Sequence, residues 1–167
     1  MSTAPNVNNY SILRGTFTFT PTSGSAIVLG DVSNCTYKPA VTKLDHFSHQ
    51  AGIRVKDRSV PVEIGASMKL TMEEINNHNL AMFLLGDTNT SGTIGGLTNP
   101  ELSGTLTMTG TNAIGTKVSF TGKVNLLPAG DFILVQDTAA WAGLTISAEV
   151  LLDTGAYGHW TLVDQAP

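Results

Sequence analysis

Between Val60 and Met72, seven apolar side chains fall on every second residue: Val60, Val62, Ile64, Ala66, Met68, Leu70 and Met72. Glu63, Gly65, Ser67, Lys69 and Thr71 occupy positions between them. A helix would scatter such a set around its axis, whereas an extended strand places all of it on one face. The chain must therefore build a sheet with a buried side. Weaker signals of the same kind surround this strand. GTFTFT at 15–20 alternates and stops at Pro21, and a short apolar run over 26–32 is broken at Gly30. Residues 102–109 and 117–127 alternate around a turn at 111–115. After Pro128-Ala129-Gly130 a short run over 131–136 reads as buried. Leu144, Ile146, Ala148, Val150 and Leu152 form a further stripe, and residues 160–163 close the chain. There is no internal repeat and no strand–helix–strand rhythm. The expected class is mainly β, a two-sheet β-sandwich or small barrel.

One helix is expected beside the sheet, over about 72–85. Thr71-x-x-Glu74 has the spacing of a capping box, Glu73 and Glu74 suit the positive end of a helix dipole, and Gly86 suits a helix stop. Between the first strands and residue 58 lies a polar stretch without hydrophobic period, which predicts a long loop over about 39–58. A connection of that length in a compact domain is usually functional. Residues 87–100, dense in Gly, Thr and Asn, read as a surface loop. At 167 residues and 17.6 kDa the chain fits a single domain, 1–167, with an N-terminal extension at about 1–12.

Charge is sparse, 13% of residues, with nine bases against thirteen acids. Its distribution says more than its total. Lys38, Lys43, Arg54, Lys56 and Arg58 cluster, whereas everything after Lys123 is acidic or neutral. Surfaces of opposite sign on one small protein favour association between copies. With negative net charge, sequence-specific nucleic-acid binding is not expected. Cys35 is the only cysteine and reads as a buried, inert thiol. His46-x-x-His49 could bring two imidazoles together, but a zinc site needs three or four ligands and Asp45 is the sole nearby third. Gly92-Thr93-Ile94-Gly95-Gly96 lacks the lysine of a phosphate loop. No nucleophile–base grouping is present, so no enzyme, cofactor or metal is expected. Without a signal peptide pattern or an apolar run of about 20 residues, the expectation is a soluble protein made in a cytoplasm, with no membrane contact.

The segment LDHFSHQAGIRVKDRSV, followed by the alternating strand and TMEEINNHNLAMFLLG, resembles the major tail tube proteins of long-tailed, non-contractile siphophages over residues 41–86. The resemblance implies a virion structural protein with a tail-tube-like fold. Six copies would form a ring, four strands of each would join an inner barrel, and stacked rings would make the conduit for DNA delivery. Twenty-four strands at about 4.8 Å spacing and about 45° tilt give a barrel about 50 Å across, wide enough for a duplex. In such a protein the loop would reach neighbouring subunits, with Lys43, Asp45, His46, Arg54, Lys56, Asp57 and Arg58 at the interface. Glu149 and Asp153, from the base-free end of the chain, would line the lumen, because an acidic wall does not hold phosphate. Implied partners are further copies of the chain, the tape measure, tail terminator and tail tip proteins, and double-stranded DNA in non-specific passage. Assembly would take place in the host cytoplasm and the product would reside in the virion tail. Two other readings stay open: a component of a contractile tail or injection machine, and a soluble β-sandwich binding module, for instance for carbohydrate.

Overall fold

The alternating stripe builds the centre of the fold. In the computed structural model, which describes residues 10–49, 52–87, 92–135, 137 and 140–163, β4 (Val55–Met72) buries Ala66, Met68, Leu70 and Met72. Each faces a buried residue of β7 (Leu144–Val150), in the pairs Ala66↔Val150, Met68↔Ala148, Leu70↔Ile146 and Met72↔Leu144. Opposed residues of antiparallel strands share a face, so two matched stripes make one apolar surface.

The remaining strands extend that surface on both sides: β1 (Gly15–Pro21), β2 (Ile27–Val28), β3 (Val32–Ser48), β5 (Leu102–Gly110), β6 (Lys117–Pro128) and β8 (His159–Val163). All pairings are antiparallel, in the order β2-β1-β5-β6-β7-β4-β3, with β8 also on β6. Phe17 and Phe19 of β1, Leu106 of β5, and Phe120, Val124 and Leu126 of β6 complete the core. β7 and β8 lie along different parts of β6, so residues 151–158 form an excursion between them.

The mainly β class with one flanking helix holds, but the strands follow one hydrogen-bonded path and do not close into a barrel. The sheet instead folds over its own core in a sandwich-like way. Tyr37 on the edge strand β3 reaches across to Trp160 of β8 (ring centroids 5.0 Å apart) and to Phe120 (6.1 Å). Its hydroxyl donates to the Tyr157 carbonyl at 2.9 Å.

Three local expectations are corrected. First, residues 39–58 are not a loop: β3 and β4 pair from Val32↔Met72 to Ser48↔Val55, forming one long hairpin. Its outer half has water on both faces, so neither strand shows a burial period. Second, the helix is α1 (Asn77–Phe83), shorter than 72–85. β4 keeps Thr71 and Met72 because the Met72 side chain is buried and the Glu73 amide bonds to the Asp31 carbonyl at 2.9 Å. The capping residue is Asn76, whose side chain accepts from the Asn79 amide at 2.9 Å. At the far end Leu85, not Gly86, takes the left-handed position (φ 51°). Gly86 is needed for close approach, because a Cβ there would lie 2.6 Å from the Gly95 carbonyl oxygen.

Third, residues 131–135 are not a buried run. Once Pro128 ends β6 the chain leaves the sheet, and Ile133, Leu134 and Val135 are exposed while Phe132 packs on Phe83. Gln136 lies outside the described residues, as does most of the N-terminal extension, residues 1–9.

Asn79 joins two connections at this end of the sheet. Fully buried, it donates to the carbonyls of Leu29 (2.9 Å) and Glu74 (2.8 Å). An amide that satisfies two backbone acceptors here fixes the route from β4 into α1.

Candidate assembly surface

β7 accompanies β4 only as far as Ala66, so residues 40–48 and 55–65 continue as a two-stranded ribbon projecting from the sheet. We refer to this ribbon as the arm. A two-stranded ribbon is marginally stable alone in water, and this one is held by polar contacts between its strands. Asp45 accepts from Lys56 Nζ at 2.7 Å and from Ser59 Oγ at 2.6 Å. His46 Nδ1 lies 2.6 Å from Asp57 Oδ1, and the Arg54 guanidinium sits 5.0 Å above the Phe47 ring. The hydrogen bonds from Lys56 and Ser59 hold the Asp45 carboxyl below its ordinary value of 3.8. What they add to the order of the arm is therefore present above that value and lost as the pH falls through the lowered one.

The register sets which side chains share a face. Pairing shifts by one residue between Thr42 and Lys43 and again between His46 and Phe47, the extra residues falling in β4. Such an insertion reverses the facing of everything beyond it. Val41 stays opposite Ile64 on the side continuous with the core, whereas Val60 crosses to sit opposite Leu44. The sequence period alone predicts Val60 on the same face as Ile64; the register shift separates them. Leu44, His46, Asp57, Arg58 and Val60 surround a shallow hollow on the outer side. Leu44 is 66% exposed, Ile64 56%, Val41 54% and Val60 40%. The arm thus carries apolar side chains on both faces into solvent, interleaved with charge.

All seven expected interface residues lie on this arm, and the structure pairs four of them internally: Asp45 with Lys56 and His46 with Asp57. Lys43 and Arg58 point their charge outward without an ion pair among the described residues. His46 and His49 are joined by no third ligand: among the described residues no group of three His, Cys, Asp or Glu side chains could hold a metal ion. Glu149 lies exposed on the outer face of β7, opposite Ser67 and Asn125. Asp153 sits in the excursion between β7 and β8, 3.0 Å from Lys123 Nζ, so its charge is balanced in place.

Cys35 packs against the core from β3, and burial pushes its thiol up to about 11. The neutral form is favoured in the folded state. Its contribution to stability is complete below the ordinary value of 9.0 and is lost as the pH rises toward 11. The thiolate is the reactive form, so at pH 8 native protein should react with an aromatic disulfide reagent roughly a hundredfold more slowly than urea-unfolded protein. Equal rates would mean the thiol is not held as described.

No curated protein matches the chain. A family-level comparison matches residues 10–96, a span that runs from β1 through α1 and contains the whole arm. That span is just over half of the 167 residues, and the chain belongs to the family described as Protein of unknown function UCP028589.

Proposed function

We propose that this chain is a virion structural protein, the ring subunit of a phage tail tube, and that it works by contact without catalysis. One observation carries the reading. The arm stands outside the folded body with Val41, Leu44, Val60 and Ile64 in water on a ribbon of only two strands. Exposed apolar surface of this kind marks a place where another molecule sits. The resemblance over residues 41–86 favours, as that molecule, a further copy in a hexameric ring or in the next ring.

The sheet edges support the same reading. β3 is an edge strand along all 17 of its residues, and beyond Ala66 the far edge of β4 is also unpaired. Long open edges offer rows of N–H and C=O groups to another chain, and closure into a larger barrel removes them. The basic residues along this hairpin restrict such pairing to partners of suitable charge. Tape measure, terminator and tip proteins would then meet the finished tube, and DNA would pass without being gripped. For the bore, Glu149 remains the candidate lining residue; Asp153 would contribute less, since Lys123 balances it.

Sedimentation velocity of the purified protein tests the reading. A species of six 17.6 kDa copies, about 106 kDa, or larger multiples of it, is expected. A monomer that stays monomeric at the highest attainable concentration would contradict it.

A further inference from the structure

The two ends of the long hairpin differ in charge, and both expose apolar side chains. The tip, residues 43–62, carries four bases and two acids, while the rest of the chain carries five bases and eleven acids. The opposite end, where β3 begins and β4 finishes, is formed by the connections at 29–31, 73–76 and 129–143. These segments hold Asp31, Glu73, Glu74, Asp131 and Asp137 and contain no lysine or arginine. The ion pairs among the described residues involve none of these acids. The same end carries the most exposed large apolar groups among the described residues: Val135 and Trp141 at 91% and Leu134 at 80%.

These three side chains belong to the β6–β7 connection. Phe132 anchors that connection on Phe83 of α1, and Gly143 abuts Thr71 at the end of β4. Phe132 and Gly143 are thus attached to the body, while Leu134, Val135 and Trp141 between them are exposed. Tryptophan at such a position is the residue type that most often dominates a protein–protein contact.

We propose that Leu134, Val135 and Trp141 form the socket for the arm tip of a second copy, in a head-to-tail contact. Apolar residues on both ends supply the buried centre, and opposite charges around them select orientation and speed encounter. Leu44 of the tip stands twelve residues along β3 from Val32 at the socket end, about 40 Å of strand at about 3.3 Å per residue, so one chain does not bring its own tip to its own socket. Because the two surfaces differ, the contact is heterologous and propagates into a ring or a stack. The inference rests on the assembly reading above and adds the acceptor surface.

Two variants test it, one for each end. Leu44→Glu with Arg58→Glu disables the tip, and Leu134→Lys with Trp141→Lys disables the socket; all four positions are exposed, so far-ultraviolet circular dichroism and the urea midpoint should match wild type. In sedimentation velocity each variant alone should lose at least tenfold in association. Mixed in equal amounts, they should form one-to-one pairs, since the socket variant keeps a good tip and the tip variant keeps a good socket. Raising salt from 50 to 500 mM should weaken these pairs. Association of the socket variant at wild-type strength, or a mixture of two folded variants that forms no pairs, would overturn the proposal. Wild-type tubes with equal tubes from both variants would remove the socket and leave the tube reading standing. Pairing as expected without any wild-type ring or tube would keep the head-to-tail contact and remove the tube.

Discussion

Deletion of residues 46–54 should leave a folded protein that no longer assembles. The excised stretch includes His46 and Phe47 from β3 and the turn that carries Arg54. Asp45 pairs directly with Ser59, so joining Asp45 to Val55 leaves residues 55–58 as a four-residue turn between strands already in register. Hairpin connections of that length are common. None of the described side chains removed belongs to the core, whose residues on this hairpin begin at Ala66 on β4 and at Tyr37 on β3. Thermal stability should therefore change by no more than about 1 kcal/mol, as for surface changes that spare buried groups. Sedimentation should fall to a monomer. An unfolded product would mean that the arm is part of the folding unit, and normal assembly would mean that its tip makes no contact of consequence.

Phe120→Ala should destabilise the fold by about 3–5 kcal/mol, the usual cost of removing a fully buried phenylalanine. Its ring is 1% exposed and lies 4.7 Å from the Trp160 ring and 6.1 Å from that of Tyr37. The pocket around it cannot readily collapse. Gly158, with φ +87°, passes so close that a Cβ there would fall 2.1 Å from Phe120 Cε2. The ring also supports Tyr37, which ties the root of the arm to the far side of the sheet. Urea denaturation would measure the loss, and Tyr37→Phe gives a scale beside it. That change removes only the hydrogen bond to the Tyr157 carbonyl, about 1 kcal/mol. A Phe120→Ala loss under about 1 kcal/mol would show that the sheet is not closed over its core at this point.

What could be read in the sequence follows from where side chains meet apolar neighbours. Ala66, Met68, Leu70 and Met72 announce themselves because β7 lies beside them with a matching stripe. The same alternation continues through Ile64, Val62 and Val60, yet no described part of the chain buries those residues. Period reports the direction of a side chain and not its burial. Beyond Thr42 even direction fails, because the register shift moves Val60 to the other face.

The arm looked like a loop for a related reason: a ribbon with water on both sides has no apolar–polar contrast to display. The helix starts later than Thr71-x-x-Glu74 predicts because that pattern competes with a strand that buries Met72, and the strand wins. Asn76, three residues before Asn79, was the usable signal. Residues 131–135 were apolar enough to read as core; composition cannot separate a side chain buried within one chain from one left for another.

The candidate site divides in the same way. Clustered bases at 54–58 and an acidic remainder were visible as charge, so the arm residues could be named. The socket at Leu134, Val135 and Trp141 was not, because its meaning depends on which end of the hairpin it occupies.

Negative-stain electron microscopy of the purified protein at near-neutral pH is the most direct measurement. Six-fold rings, or hollow tubes with an inner barrel about 50 Å across at the backbone, are the predicted result. A field of isolated, featureless particles of monomer size at concentrations where the protein is folded would contradict it.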